Sequence, residues 1–223
     1  MSILHSLLNK TVNIEISGDK KHTGILIDYG QDILVLFNGI NFIYFPTLHI
    51  QNLRANVNVE EEIQSPTTMP YEFDSNLSYR KILQHARGHF LEIYVSGSLS
   101  LHGYVTAIMN NYFVFYSPVF KTIYIPMYHL KWLIPYSIDK TPFSIDRERF
   151  PVSPSTLPLT RTFEEQVHKL VGEVVVFDLG FHPNKIGLLN KIEDNMIELV
   201  SGNGENLFLN MHHIKSVHSP KQL

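Results

Sequence analysis

Short hydrophobic runs recur along the chain, four or five at a time, in three successive segments. In the first segment Val12, Ile14 and Ile16 alternate with polar residues, which predicts a strand with one buried and one solvated face. The runs 33–37 and 112–116 lack this alternation and predict strands covered on both faces. Gly, Asn, Asp and Ser separate the runs, as is typical of consecutive antiparallel strands. The pattern therefore predicts an all-β fold with short helices.

The three segments are copies of one repeat. In each copy a glycine inside the second run is followed, 25 or 26 positions later, by a histidine after the fourth run. A spacing held three times indicates internal repetition. The third copy is degenerate, with Asn210 where the others have Pro46 and Pro126. The glycine and histidine pairs are Gly24 and His49, Gly103 and His129, and Gly187 and His213.

Each copy is expected to form a small barrel. A glycine inside a strand marks a bulge, a bend or a close backbone approach, and a bent second strand lets a short sheet curl. A helix-compatible stretch precedes each copy: 3–8, 77–86 and 162–171, where Thr162 and Glu165 form a capping-box pattern. We therefore predict three tandem SH3-like or Sm-like bent barrels, each preceded by a short helix.

The predicted domain organisation alternates barrels with linkers. Proline-rich and acidic stretches cannot form central strands and are typical of linkers, and Tyr136, Phe143 and Phe150 in the second linker are expected to pack back onto a barrel. The predicted segments are a first barrel repeat 1–55, a linker 56–76, a second repeat 77–134, a Pro-rich linker 135–161 and a third repeat 162–219.

Composition narrows the functional classes. The 223 residues are 44% hydrophobic and 17% charged, which indicates a folded chain. The formal charge of -3, from 18 basic and 21 acidic side chains, argues against a dedicated nucleic-acid binder. The absence of cysteine excludes disulfides, thiol catalysis and thiolate metal ligands. We find no secretory signal and no membrane-spanning run, so we expect a protein that is not secreted and has no membrane partner.

The twelve histidines do not predict a metal site. His85 and His89 lie four apart on a possible helix face, but a zinc site needs at least three protein ligands. The repeat histidines His49, His129 and His213 are expected to hydrogen-bond the backbone at the turn into the last strand. The remaining candidates, predicted to lie on the surface, are His182, His212 and His218.

Three other motifs that could carry chemistry are expected to be turns or linker residues. Ser96-Gly97-Ser98 is flanked like a turn and lies outside any nucleophile elbow. Gly202-Asn203-Gly204 predicts a hairpin turn and no phosphate loop. The run Glu60-Glu61-Glu62 is typical of a solvated linker. We therefore predict no enzyme activity and no catalytic, cofactor-binding or metal site.

The three repeats end alike, in Leu48-His49-Ile50, in Tyr128-His129-Leu130 and in 212–217. These endings resemble those of the bacterial spore coat protein B family. The resemblance spans nearly the whole chain. That family carries a long Ser/Lys/Arg-rich tail after its repeats, so we expect a short form without the tail and carry over no phosphorylation. The resemblance implies a structural spore coat component that is made in the mother-cell cytoplasm. Its implied partners are other spore coat proteins, with self-association as a further possibility.

A weaker resemblance is to Sm-like RNA-binding barrels. That fold binds RNA through an Asp…Asn pair in one loop and an Arg-Gly or Lys-Gly pair in another. Asp28 and Asp32 fall near the first loop, but the Asn is missing. Residues 46–49 stand where the basic-Gly pair of the second loop is expected. The aromatic strands could stack bases, yet only scattered lysines accompany them. We therefore expect the fold to be shared without the RNA-binding site. Nucleic-acid binding by an Sm-like module is the alternative function.

Overall fold

The computed structural model describes residues 3–56, 63–66, 76–136, 143 and 158–220. Antiparallel strands dominate these residues, and the helices are short. The predicted all-β class with short helices is confirmed. Phe150 and the run Glu60-Glu61-Glu62 lie outside the described residues.

Each repeat contributes five strands, with a short 3-10 helix between the fourth and the fifth. The first repeat contains a 3-10 helix Ile3–Leu7, β1 (Thr11–Ile16), β2 (Lys20–Tyr29), β3 (Ile33–Phe37), β4 (Phe42–Pro46), a 3-10 helix Thr47–His49 and β5 (Ile50–Ala55). The second contains α1 (Tyr79–Ala86), β6 (Phe90–Tyr94), β7 (Leu101–Ile108), β8 (Tyr112–Ser117), β9 (Lys121–Pro126), a 3-10 helix Met127–His129 and β10 (Trp132–Pro135). The third contains α2 (Phe163–His168), β11 (Val174–Phe177), 3-10 helices Asp178–Gly180 and Pro183–Lys185, β12 (Ile186–Glu193), β13 (Met196–Val200), β14 (Asn206–Asn210), a 3-10 helix Met211–His213 and β15 (Val217–His218).

The second strand of every repeat is bent at the same place. The ladder between the second and third strands shifts register between Leu26 and Asp28, and it shifts at the equivalent step in the other two repeats. Such an extra residue bends its strand and increases its twist. The repeat glycine lies two residues before each shift, where its backbone packs closely on the third strand. The predicted close approach at Gly24, Gly103 and Gly187 is confirmed.

The residues form two compact units. The first contains Met1–Tyr94 and Leu130–Ile145, and the second contains Val95–His129 and Asp146–Leu223. In the first unit the strand order is β6-β10-β4-β3-β2-β1-β5. In the second it is β14-β13-β12-β11-β15-β9-β8-β7. The predicted boundaries of the repeats as domains stay predictions.

Burial follows the expected pattern in the first two repeats and departs from it in the third. All residues of β3 and of β8 are buried, which confirms that these strands are covered on both faces. In β13, by contrast, only Ile197 and Leu199 are buried, so one face of this strand is covered. The third repeat therefore keeps a partly exposed face where its two relatives are closed.

The helices agree with their predicted positions. Ser78 caps the N-terminus of α1, and the side chain of Thr162 accepts a hydrogen bond from the Glu165 N–H in the predicted capping box of α2. Both helices are shorter than the sequence indicates, and the first stretch, Ile3–Leu7, forms a 3-10 helix. In the second linker, Tyr136 and Phe143 both pack against Phe90, with ring centroids 5.4 and 6.0 Å away, as predicted.

Candidate assembly interface

The fourth strand of each of the first two repeats pairs with the last strand of the following repeat. In the first unit β4 pairs with β10, and Tyr44 lies opposite Leu133. In the second unit β9 pairs with β15, and Tyr124 lies opposite Val217. The curled sheet of one repeat is therefore continued by main-chain hydrogen bonds to its neighbour, and the molecule already contains two examples of one strand-to-strand interface.

The two examples share one register. Tyr44 and Tyr124 each stand two residues before the proline that ends their strand, Pro46 and Pro126. Their partners, Leu133 and Val217, each stand four residues after the repeat histidine. On the opposite edge of their strands these two residues pair with equivalent residues in the first strand of their own repeat. Register in a sheet is specified where side chains are buried, because a slip by one residue would turn every side chain to the opposite face. Both tyrosines are fully buried.

We call the contact between β4 and β10 the first junction and the contact between β9 and β15 the second junction. Aromatic rings fill the first junction. The ring of Trp132 stacks on that of Tyr94, with centroids 4.0 Å apart and an interplanar angle of 17°. The imidazole of His22 meets Trp132 edge-on at 4.7 Å and Phe45 at 5.0 Å. Packed aromatic pairs add attraction beyond the area they bury. This cluster joins side chains of β2 and β4 to β10 and β6.

The aromatic surroundings change the acidity of His22. Burial lowers the pKa of the imidazole below its usual value of 6.5; Lys20 acts in the same direction, and Glu92 opposes both. The Nε2 atom is buried and has no hydrogen-bond partner among the described residues. Because a charged imidazole would be poorly solvated here, the junction favours the neutral ring.

A lysine adds a polar contact to the first junction. The Nζ atom of Lys131 donates a hydrogen bond of 2.8 Å to the carbonyl oxygen of Ser17, in the turn after β1. The same ammonium lies 5.6 Å from the centroid of the Tyr94 ring. A residue of the second repeat thereby contacts the backbone of the first.

The second junction contains histidine contacts. The Nε2 atom of His129 lies 3.2 Å from the carbonyl oxygen of His212, and the Tyr128 hydroxyl donates to that oxygen at 3.4 Å. Phe120 contacts the ring of His218 edge-on at 5.8 Å. The two 3-10 helices that end at the repeat histidines are thus joined across neighbouring repeats.

Helices α1 and α2 are each bound by the repeat that precedes them. The Tyr79 N–H, at the start of α1, donates to the carboxylate of Asp32 at 2.8 Å. The Phe163 N–H, at the start of α2, donates to the amide oxygen of Asn111 at 2.8 Å, and Asn111 Nδ2 donates to Glu164. Asp32 and Asn111 occupy the same repeat position, immediately before the third strand. A side-chain oxygen at this position satisfies a helix N–H that would otherwise lack a partner.

Two of the three repeat histidines, His49 and His129, have partners that the sequence did not specify, and the predicted backbone contact of His213 stays a prediction. The Nδ1 atom of His49 lies 3.2 Å from the hydroxyl of Ser17, and His129 contacts the next repeat as described. The expectation that His218 lies on the surface is wrong: it is buried in β15, and burial lowers its pKa below 6.5. His182 and His212 are exposed, as expected. The sequence could not indicate the burial of His218, because it depends on β15 joining the sheet beside β9.

The other candidate motifs form turns or lie apart. The turn after β6 contains Gly97 at a φ of 79°, and the turn between β13 and β14 contains Gly204 at a φ of 84°, as predicted. Helix α1 ends at Ala86, before His89. Within the described ranges no three His, Cys, Asp or Glu side chains are grouped closely enough to hold a metal ion. No helix in the described part of the chain is long and apolar enough to cross a membrane.

Sequence reasoning missed the residues that build the interface. The aromatic residues Tyr44 and Tyr124 are buried, but the pairing of their strands with a neighbouring repeat was not foreseen. The signal available was positional: Tyr44, Tyr124 and Phe208 all stand two residues before the end of a fourth strand. Asp32 was considered only as a loop residue of the Sm-like fold, although it binds the start of α1.

Comparison with known proteins places the chain in a family. It is 44% identical over 225 residues, covering 99% of this chain and 100% of the relative, to the uncharacterized protein YwrJ of Bacillus subtilis (strain 168). The chain belongs to the YwrJ family. The family description "YwrJ third domain" also matches residues 162–217, which contain α2, the strands β11–β14 and the first residue of β15. The YwrJ relative is matched over its whole length, so all three repeats fall within the aligned region.

Proposed function

We propose that this protein is a structural component of the bacterial endospore coat and acts by protein–protein assembly through its repeats. The observation that carries the proposal is the pairing of the fourth strand of one repeat with the last strand of the next, seen at Tyr44 and Leu133 and again at Tyr124 and Val217. Strand pairing is a general means of joining chains, because main-chain hydrogen bonds supply affinity and alternate side chains supply specificity.

The repeat architecture suits a cohesive role. Three modules on one chain turn weak contacts into strong attachment, because the second and third contacts form at high effective concentration. The coat as the place of action comes from the resemblance of the repeat endings at His49, His129 and His213 to spore coat protein B. Other coat proteins are the partners that this resemblance supplies.

Imaging in sporulating cells tests the proposal. A fluorescent fusion of the full chain should form a ring around the developing spore. The control is the fluorescent protein alone, expressed from the same promoter, which should stay diffuse. A fusion that stays diffuse through sporulation, although it is full-length on a blot, would reject the coat assignment.

The alternative is an Sm-like nucleic-acid module, and one surface feature favours it. Lys21 and Arg54 line a pocket of about 200 Å³ together with Asn13, Asn52 and Glu15. Two cations can contact phosphates, and such contacts make binding fall steeply with salt. Filter binding of single-stranded RNA across a salt series, compared between the natural chain and Lys21→Glu, would reveal this function. Tight binding that falls with salt and is lost in the variant would replace the coat proposal.

A further inference from the structure

The third repeat has a fourth strand with an unused edge. Among the described residues β14 pairs with β13 alone, whereas β4 and β9 each have a partner on both sides. Phe208 occupies in β14 the position that Tyr44 and Tyr124 occupy in β4 and β9. Both tyrosines are 0% exposed, but Phe208 is 65% exposed. A large aromatic residue is thus exposed to solvent at a repeat position that is fully buried in the first two repeats.

The first repeat has the matching edge. In the described part of the chain β5 pairs with β1 alone. Leu53 lies four residues after His49, and Leu133 and Val217 lie four residues after their own repeat histidines. Leu53 pairs with Ile14 of the first strand of its repeat. Leu133 and Val217 make the equivalent pairs, with Ile93 and Phe177. Leu53 therefore stands at the position that receives a fourth-strand aromatic residue in the second and third repeats.

The third repeat has a second open surface in the described part of the chain, at the position of the helix-binding face of the other repeats. Asn195 corresponds to Asp32 and Asn111, because the backbone carbonyl of each accepts a hydrogen bond from the 3-10 helix after the fourth strand. Met196, which follows Asn195, is 40% exposed, whereas the equivalent Ile33 and Tyr112 are fully buried. Among the described residues, no helix covers the surface of the third repeat that corresponds to the helix-binding surface of the first two.

The first repeat carries an exposed apolar residue that suits this face. Counting back from the first strands, Ile3 in the 3-10 helix Ile3–Leu7 is equivalent to Ile82 in α1 and Gln166 in α2. Those two residues are 0% exposed, whereas Ile3 is 85% exposed. The first repeat thus presents both an open last strand and an exposed helical residue, and the third presents an open fourth strand and an open helix-binding face.

We propose that two copies of this chain associate head to tail, with β14 of one copy pairing antiparallel to β5 of the next, so that Phe208 lies opposite Leu53. The inference rests on the assembly role proposed above and names its contact. The occupant is a second copy because the two free surfaces are the halves of an interface that the chain forms twice internally. Contacts between different surfaces close into rings or extend into filaments, and either product satisfies the inference.

Cysteine cross-linking tests the contact directly, because the natural chain has no cysteine. Phe208→Cys is prepared with one affinity tag and Leu53→Cys with another, the two are mixed under mild oxidation, and dimers carrying both tags are counted. Directly opposed residues of antiparallel strands have Cα atoms about 4.5–5.5 Å apart, within the range that a disulfide bridges. We expect efficient formation of the mixed disulfide.

The matched control is Asn52→Cys mixed with Phe208→Cys. Asn52 neighbours Leu53 on β5, but adjacent side chains of a strand point to opposite faces. Cross-linking through Leu53→Cys that does not exceed this control would overturn the inference. If cross-links form while the fluorescent fusion stays diffuse, the coat assignment is rejected and the contact is supported. If the fusion forms a spore ring but no cross-links form, the contact is rejected and the coat assignment is supported.

Hydrogen exchange of the unmodified chain gives a second readout in case Leu53→Cys weakens the fold. Amides in peptides covering 50–55 and 206–210 should exchange more slowly at high than at low protein concentration, because pairing protects edge N–H groups. Peptides from β8, an interior strand, are the control and should not change. Concentration-independent exchange at both edges would overturn the inference.

Discussion

Gly103 lies against Tyr116 with no room for a side chain: a Cβ atom at Gly103 would stand 2.0 Å from the Tyr116 carbonyl oxygen. The same approach occurs at Gly24, whose Cβ would stand 2.5 Å from the Phe37 oxygen, and at Gly187, at 2.3 Å from that of Val200. Each contact joins the bent second strand to the third. The glycine is therefore required by the curvature of the repeat.

Replacement of this glycine should destabilise the protein. We expect Gly103→Ala to lower the free energy of unfolding by about 1–3 kcal/mol, because the added methyl group meets a backbone atom that cannot rotate away. Chemical denaturation followed by circular dichroism measures the loss. Gly202→Ala is the control, since no atom of the described residues lies within 4 Å of a Cβ atom there, and it should change stability by less than about 0.5 kcal/mol. Equal stability of the two variants would contradict the close approach.

The carboxylate of Asp32 should stabilise α1. We expect Asp32→Ala to cost about 1–3 kcal/mol of unfolding free energy, because the Tyr79 N–H loses its acceptor in a part-buried site. Asp32→Asn is the matched control: Asn111 makes the equivalent bond in the second repeat, so this variant should keep most of the stability. Denaturation curves of the three proteins decide the point. If the asparagine and alanine variants lose the same stability, the acceptor oxygen is not the cause.

Acid should weaken the first junction through His22. The pKa of this imidazole is lowered below 6.5 in the folded chain by burial and by Lys20, with Glu92 opposing. The unfolded chain therefore binds more protons, and the stability contributed by neutral His22 is present above pH 6.5 and lost as the pH falls through the lowered pKa. Unfolding midpoints measured from pH 8 to pH 5 should decrease at the acidic end.

Trp132 reports on this titration because it is the one tryptophan in the sequence and contacts the His22 ring. We expect its fluorescence to change with a midpoint below pH 6.5. His22→Phe should remove that change, whereas substitution of the exposed His182 by Gln should leave it intact. A transition that persists in His22→Phe would contradict the assignment.

The sequence predicted the repeat and its internal geometry well for a physical reason. A glycine is required wherever the second strand packs closely on the third, as at Gly24, Gly103 and Gly187. The alternation of apolar and polar residues in a strand such as β1 follows from the burial of one face. Both constraints are local and therefore leave a pattern in the sequence. The buried β3 and β8 were recognised in the same way, from unbroken apolar runs. Local constraints of this kind are visible without any knowledge of which strands meet.

The junctions could not be predicted because their partners are distant in sequence. Tyr44, Tyr124 and Phe208 are chemically alike, and nothing local indicates that the first two are covered and the third is exposed. The burial of His218 likewise depends on β15 lying beside β9. The contact of Asp32 with the start of α1 joins residues 47 positions apart, so no local pattern indicates it. Pairing between repeats is decided by tertiary packing, which overrides single-residue expectations.

Sedimentation velocity of the purified full chain over a range of concentrations tests most directly whether the repeats make this protein cohesive. We predict species larger than one chain whose proportion rises with concentration and falls in Phe208→Lys, because a charge on a strand edge opposes further pairing. Val119→Lys, at a residue that is 67% exposed in the turn between β8 and β9, should behave like the natural chain. A single species of monomer mass at every concentration, unchanged by either substitution, would contradict assembly through strand pairing.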